Sequence, residues 1–315
     1  KIKKAVLLPF FLLKLIMDNL IPKISLKNLL SNDGDSLTML SSALKNHGFF
    51  VITDHNIPHD LFHRSYEFSK IFFNLDLAIK NKYSYRENAG ARGYTPFGKE
   101  TALGETVPDL KEFWHHGPVV DDTYDHRIMK NINVDEIKEF NKVFDDLFFE
   151  MNNLGSSLLK SISLSLELPS DYFEKSTSKG NSLLRLIHYP PSNNENIYRA
   201  REHADINLIT LLIGANEPGL EVKDKLGNWI PVSSSFEDIV CNIGDMMQLI
   251  TDKVLKSTPH RVVKYKTDEI KSRYSIPFFL HPSPDTILKS IYNNDDAGVL
   301  AHDFLDERLK AIKLY

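Results

Sequence analysis

The chain has 315 residues, of which 42% are hydrophobic, 25% charged and 10% aromatic, enough apolar side chain to bury a large core, which excludes disorder, fibres and stapled mini-proteins. Its 38 basic and 42 acidic residues leave a formal charge of −4, no footprint for nucleic acid or an anionic membrane, so the expected partner is a small molecule. The single cysteine, Cys241, excludes an internal disulfide and a multi-cysteine zinc site and suits a reducing, cytoplasmic setting. Twelve histidines then become the candidate chemistry.

Lys1-Ile-Lys-Lys followed by the apolar run Ala5 to Leu13 is laid out like a secretory signal. Pro9 and Lys14 interrupt it, no small-x-small cleavage site follows, and it falls short of the roughly 18 apolar residues of a membrane span. The favoured reading places residues 1–16 upstream of a natural start at Met17, outside the fold. From Asp35 to Gly48, Leu37, Leu40, Ala43 and Leu44 recur at helical spacing, with Asp35 or Ser36 as cap and Gly48 as the left-handed stop. A short strand, Phe49 to Thr53, follows. His59 to Asn81 reads as another helix, and Asn88 to Tyr94 as a loop. The clearest helix starts near Asn133, with Glu136 in a capping box, and aligns Ile137, Phe140, Phe144, Leu147, Phe148, Met151, Leu154 and Leu158 on one face.

After Gly180 short apolar runs alternate with Gly, Pro, Asn and Asp. The predicted strands are Leu183–Tyr189, Leu208–Ile213, Leu220–Val222, Trp229–Val232, Ile239–Ile243, Met247–Ile250, His260–Val263 and Tyr274–Leu280. Strands without intervening helices imply an antiparallel jelly roll or small barrel. A last helix spans Ala301 to Lys313. The expected organisation is α+β with a mainly β core: a helical N-terminal region (17–170) with a long backing helix, a β-barrel (180–285) and a C-terminal helical segment (286–315).

In Glu202-His-Ala-Asp205, His203 and Asp205 stand two apart, and on a strand both would project to one face and share a metal. The spacing alone is weak, because about 1.6 His-x-acid pairs are expected by chance in such a composition. His260, in Ser257-Thr-Pro-His260, opens another predicted strand and supplies the third candidate ligand. Two histidines and one carboxylate make the facial triad of non-haem Fe(II), although zinc can use the same donors. Arg273 and Ser275 share one face of the final strand, where a guanidinium fork and a hydroxyl can hold a carboxylate.

In their order these pieces resemble the isopenicillin N synthase-like branch of the Fe(II)/2-oxoglutarate-dependent oxygenases. The resemblance runs from about residue 22 to 282. It is carried by Leu44-Lys-Asn-His-Gly-Phe-Phe-Val-Ile-Thr-Asp-His55, Arg92-Gly-Tyr-Thr-Pro96, Asp109-Leu-Lys-Glu112, Leu183-Leu-Arg-Leu-Ile-His-Tyr-Pro-Pro191, Glu202-His-Ala-Asp205, Asn242-Ile-Gly-Asp-Met-Met-Gln-Leu249, Ser257-Thr-Pro-His-Arg-Val262 and Arg273-Tyr-Ser-Ile-Pro-Phe278. It implies a distorted double-stranded β-helix with His203, Asp205 and His260 as Fe(II) ligands. It further implies Arg273, Ser275 and Tyr189 at the distal carboxylate of 2-oxoglutarate, O2 as co-substrate, and Gly244-Asp245 as a tight turn between strands. Asn207 is a weaker co-substrate candidate. The loops around Arg92 to Phe97 and Lys111 to Trp114 are expected to cover the iron, making Arg92, Tyr94 and Lys111 candidate substrate contacts and suiting an acidic or zwitterionic molecule. The turn between His260 and Arg273 is longer than the family's usual hairpin, and Glu202 and Ala204 depart from its commonest choices. The implied activity is oxidative decarboxylation of 2-oxoglutarate to succinate and CO2, coupled to oxidation of a small molecule. An oxidase of the same fold that uses no 2-oxoglutarate, an ethylene/succinate-forming type and a non-catalytic metal-binding barrel are the rival readings.

Overall fold

The structure, a computed structural model, describes residues 21–84, 90–100, 107–191, 198–214, 218–264 and 271–312. The signal-like residues 1–16, the start of the predicted 88–94 loop and the tip of the turn before Arg273 (265–270) lie outside them. The strands are β1 (Lys23–Ser25), β2 (Phe49–Thr53), β3 (Gly93–Thr95), β4 (Glu112–His116), β5 (Leu183–Tyr189), β6 (Tyr198–His203), β7 (Ile209–Ile213) and β8 (Leu220–Lys223). They continue with β9 (Trp229–Pro231), β10 (Ile239–Ile243), β11 (His260–Val263), β12 (Arg273–Ser275), β13 (Pro277–Leu280), β14 (Ile287–Leu288) and β15 (Val299–Leu300). The helices are α1 (Leu26–Leu30), α2 (Gly34–Asn46), α3 (His59–Phe73), α4 (Leu77–Asn81), α5 (Phe140–Ser165), α6 (Glu174–Thr177), α7 (Asp245–Ile250) and α8 (Ala301–Ala311). No helix among the described residues is long and apolar enough to cross a membrane.

The major sheet runs β1-β2-β10-β7-β13-β5-β4-β3, with β12 also paired to β5, and the minor sheet runs β6-β11-β8-β9. The N-terminal half is therefore more than helical, since β1 to β4 extend the barrel's own sheet on both edges. Alternation along each strand sorts the side chains. On β5, Leu184 and Leu186 join the cluster that includes Phe144, Leu147, Met151, Leu154 and Leu158 of α5. Ile187 and Tyr189 turn the other way and pack with Phe113, Ala200 and Val262 between the sheets. Each such buried Leu or Phe stabilises by about 1.5–3 kcal/mol. The 26-residue α5 backs the sheet closely at Gly155, where an added Cβ would stand 2.3 Å from Leu280 Cδ1.

Several predicted boundaries move, each for a local reason. The cap of α2 is Asp33, whose carboxylate accepts from the Ser36 amide at 2.9 Å, while Gly48 does take the left-handed stop at φ 66°. The helix predicted over 59–81 breaks at Asn74–Asp76 into α3 and α4. The long helix begins at Phe140 rather than Asn133, because Glu136 is engaged by the Tyr83 hydroxyl and by Lys82 at 3.1 Å instead of closing a capping box. The predicted strand Met247–Ile250 is the helix α7. Tyr274–Leu280 divides into β12 and β13 at Pro277, which has no N–H to donate to a ladder. Strand β6 escapes prediction because Tyr198-Arg-Ala-Arg-Glu-His203 edges the minor sheet and carries charge on its accessible side.

Candidate metal centre

Strand β11 pairs with β6 so that His260 stands directly opposite His203. Their rings are 4.4 Å apart, and His260 Nε2 lies 3.9 Å from Asp205 Oδ1. One ligand atom from each of His203, Asp205 and His260 lies within 4.8 Å of the others, the one group among the described residues that can hold a metal ion. Asp205 does not share a strand face with His203, because β6 ends at His203 and Asp205 sits in the following turn. The ligands meet because that turn is fastened to the start of α7. The Asp245 amide donates to the Asp205 carbonyl at 2.7 Å and the Met246 amide to the Ile206 carbonyl at 3.1 Å. Gly244 is required there, since a Cβ would come within 2.1 Å of the Asn207 carbonyl oxygen. Gly244-Asp245 thus caps a helix rather than making a strand-to-strand turn.

Each ligand is oriented by a second contact. His203 Nδ1–H donates to the Arg201 carbonyl at 2.7 Å and His260 Nδ1–H to the Thr258 carbonyl at 3.3 Å, so Nε2 is the nitrogen of each ring left to face a metal. Thr210 Oγ1 and Asn242 Nδ2 both donate to Asp205 Oδ2, at 2.6 and 2.8 Å, leaving Oδ1 toward His260. Burial opposes ionisation of Asp205, but His260, His203 and these two donors outweigh it and hold the carboxyl below its usual range. Burial, with His203 beside it, pushes His260 down to about 4, so the imidazole is neutral and needs no proton loss to ligate. Two imidazole nitrogens and one anionic oxygen fit a divalent first-row metal. Thr210 and Asn242 carry no predicted role; their signal is a polar side chain at the inward position of an otherwise apolar strand. Asn207, the weaker co-substrate candidate, is fully buried and donates to the Ile209 carbonyl at 2.6 Å, shaping the turn.

Arg273 pairs with Tyr189 and Ser275 with Ile187 across β12 and β5, all four on the face between the sheets. Arg273 is 2% exposed, with its guanidinium carbon 5.5 Å from the centre of the Tyr189 ring. The structure does not bring Arg92 and Tyr94 to this face. Tyr94 stands opposite Trp114 on the helix-facing side, its hydroxyl on Glu112. Arg92 is buried and donates to the Met129 carbonyl at 3.2 Å. The expected covering loop at 111–114 is largely strand β4, with Trp114 packed against Phe72 and Phe140. Lys111 is buried and bound to Glu100 at 2.5 Å and Asp109 at 2.9 Å. Its charge is therefore already matched, which weakens the case for an acidic substrate.

The 2OG-Fe(II) oxygenase superfamily profile matches residues 180–282, and the profile for the non-haem dioxygenase in morphine synthesis N-terminal region matches 21–135. Proline hydroxylase buaE of Petromyces alliaceus is 34% identical over 269 residues, 80% of this chain and 83% of that protein. A 2OG-Fe(II) oxygenase family protein from Caulobacter crescentus superposes with a TM-score of 0.82 at 36% identity, over 93% of this chain and 99% of the other. A full-length Neurospora crassa protein, solved in complex with alpha-KG, gives 0.83 at 26% identity, over 93% and 97%. With the double-stranded β-helix and its two-histidine, one-carboxylate cluster in place, this likeness across most of the chain settles its membership: it belongs to the 2OG-Fe(II) oxygenase superfamily.

Proposed function

We propose that His203, Asp205 and His260 hold the Fe(II) of a 2-oxoglutarate-dependent dioxygenase, and that Arg273, Ser275 and Tyr189 take the distal carboxylate of 2-oxoglutarate. The observation that carries this reading is the convergence of the cluster with the buried Arg273–Tyr189 wall inside one barrel. When bound, iron, 2-oxoglutarate and O2 supply the oxidising power, with succinate and CO2 as products alongside the oxidised small molecule. The chain's own residues bind and orient. The Nδ1–H donations fix the histidine tautomers, and Thr210 and Asn242 restrict Asp205 to one open oxygen. The Arg273 fork sets the reach of the co-substrate. Phe113, Ile187, Ala200 and Val262 form a dry wall beside it, which excludes water from the reacting groups.

Anaerobic Fe(II) with 2-oxoglutarate should give a weak visible charge-transfer band that O2 bleaches, with succinate and CO2 formed in equal amounts. His203→Ala or Asp205→Ala should abolish both; full succinate production by either variant sinks the assignment. Arg273→Lys should raise the 2-oxoglutarate requirement about ten- to a hundredfold, because a point charge cannot reproduce two parallel charge-assisted bonds. Substrate oxidation without succinate would instead favour the oxidase that takes no 2-oxoglutarate.

A further inference from the structure

Beside the metal cluster lies a second, partly buried polar group that none of the roles above uses. Arg185, on β5, shares the inward face with Ile187 and Tyr189. It stands at the opposite end of the strand from Tyr189. Its guanidinium carbon lies 4.4 Å from the centre of the Phe113 ring and 5.4 Å from that of Phe279. Phe279 is paired with Thr210 across β13 and β7, and Thr210 donates to Asp205. The end of β5 that carries Arg185 therefore adjoins the metal ligands, while the end that carries Tyr189 adjoins Arg273.

The orientation of Arg185 is fixed from two sides. Its Nε–H donates to His115 Nε2 at 2.7 Å and its Nη1 to Glu100 at 3.0 and 3.3 Å. His115 is an acceptor there because its Nδ1–H is committed to the Gly90 carbonyl. Burial first, and the adjacent Arg185 second, keep that imidazole neutral. Glu100 is bound by Arg185 and Lys111 together, which overcome its burial and hold it ionised; its charge also bears on His203. Among the described residues Arg185 Nη2 makes no hydrogen bond.

We propose that Arg185 is a specificity-determining residue, whose Nη2 donates to an sp2 oxygen of the prime substrate, a carboxylate or a neutral carbonyl, held beside the iron. The proposal rests on the dioxygenase reading above. A guanidinium clamped on two edges and flanked by aromatic rings presents its remaining edge without a further loss of rotamer freedom, so a matching acceptor gains a directed, charge-assisted bond. A substrate lacking that oxygen would cover the donor and displace its water without matching it, which is where discrimination arises.

The test uses the full chain loaded anaerobically with Fe(II) and 2-oxoglutarate, with the visible band and calorimetric titration as readouts. The probes are benzoate, benzamide, hexanoate, hexanamide and toluene. Binding of either acids or amides, with band perturbation and with toluene at least about tenfold weaker, is the expected result. Acids above amides identify a carboxylate, and amides above acids a neutral carbonyl. Arg185→Met should weaken the bound class at least about tenfold. Arg185→Lys, which keeps the charge but cannot reach His115, Glu100 and ligand together, should also weaken it and carries the test if the methionine variant does not fold. A normal band that no oxygen-bearing probe perturbs, or a variant that binds as the wild type does, overturns the proposal. Absence of the band altogether overturns instead the dioxygenase reading.

Discussion

A single carboxylate oxygen shows how the centre is held ready. Asp205 Oδ2 is taken by Thr210 and Asn242, so the side chain cannot rotate to bind a metal through both oxygens without giving up two buried hydrogen bonds. Thr210→Val should therefore lower Fe(II) affinity about 10- to 100-fold while the ligands themselves remain, measured by anaerobic metal titration. His281 offers a separate test of burial. It lies 7% exposed, and burial pushes it down to about 4 from 6.5, although Asp205 pulls the other way. The unfolded chain then binds a proton that the folded chain refuses, so stability is full above pH 6.5 and falls as pH drops toward 4. Over that window the loss is on the order of 3 kcal/mol. The metal-free wild type should lose thermal stability from pH 6.5 to 4, a limb to which buried His260, His115 and His116 also contribute, and His281→Gln should make it shallower by its own share; an unchanged slope would count against a buried neutral imidazole.

At the scale of elements, the decisive join is the one between the turn after β6 and the first turn of α7. The Asp205 and Ile206 carbonyls accept from the amides of Asp245 and Met246, and Gly244 admits the Asn207 backbone where any side chain would collide. Gly244→Ala should cost about 1–3 kcal/mol and weaken Fe(II) binding together, because it displaces the turn that carries Asp205. Chemical denaturation and metal titration on the same variant check both. Another element-level device lies behind β5. The His188 Nδ1–H donates to Glu112 at 2.7 Å, its Nε2 is hydrogen-bonded to the Ser272 hydroxyl at 2.9 Å, and its ring stacks on Tyr274 at 4.8 Å. The strand that carries Arg273 is thus clamped from its far face. Helix α5 supplies the support beneath the whole sheet, so Leu158→Ala, at a fully buried position, should cost about 2–5 kcal/mol without touching the site.

For the molecule as a whole, the barrel and the front half are one sheet. Strand β2 lies between β1 and β10, and β4 between β3 and β5. Residues 180–285 alone would expose both edges of the sheet and the apolar face that α5 covers. Expressed alone, that fragment should show no cooperative thermal transition and no Fe(II) binding; a cooperative, metal-binding fragment would refute the shared-sheet account. Cys241 fits the same picture. It is buried on the helix-facing side of β10 and burial pushes its thiol up, so it is a packing residue rather than a ligand or a nucleophile.

The sequence by itself determined the parts that depend on local pattern and ordered motifs. The strands Phe49–Thr53, Leu183–Tyr189, Ile239–Ile243 and His260–Val263 were legible because apolar runs bounded by turn residues have few other solutions. The candidates His203, Asp205, His260 and Arg273 were legible from residue type and order. Tertiary structure alone decided which polar residues converge. Thr210 and Asn242 reach Asp205 only because β7 and β10 pair in one register, and Arg185 meets Glu100 and His115 from segments 85 and 70 residues away. It also turned Met247–Ile250 from strand to helix and carried Tyr94 to the far face of the sheet. The physical reason is common to all of these: a side chain's neighbours across a sheet are fixed by register and by the turn before it, and neither is written in the spacing of residues along one strand.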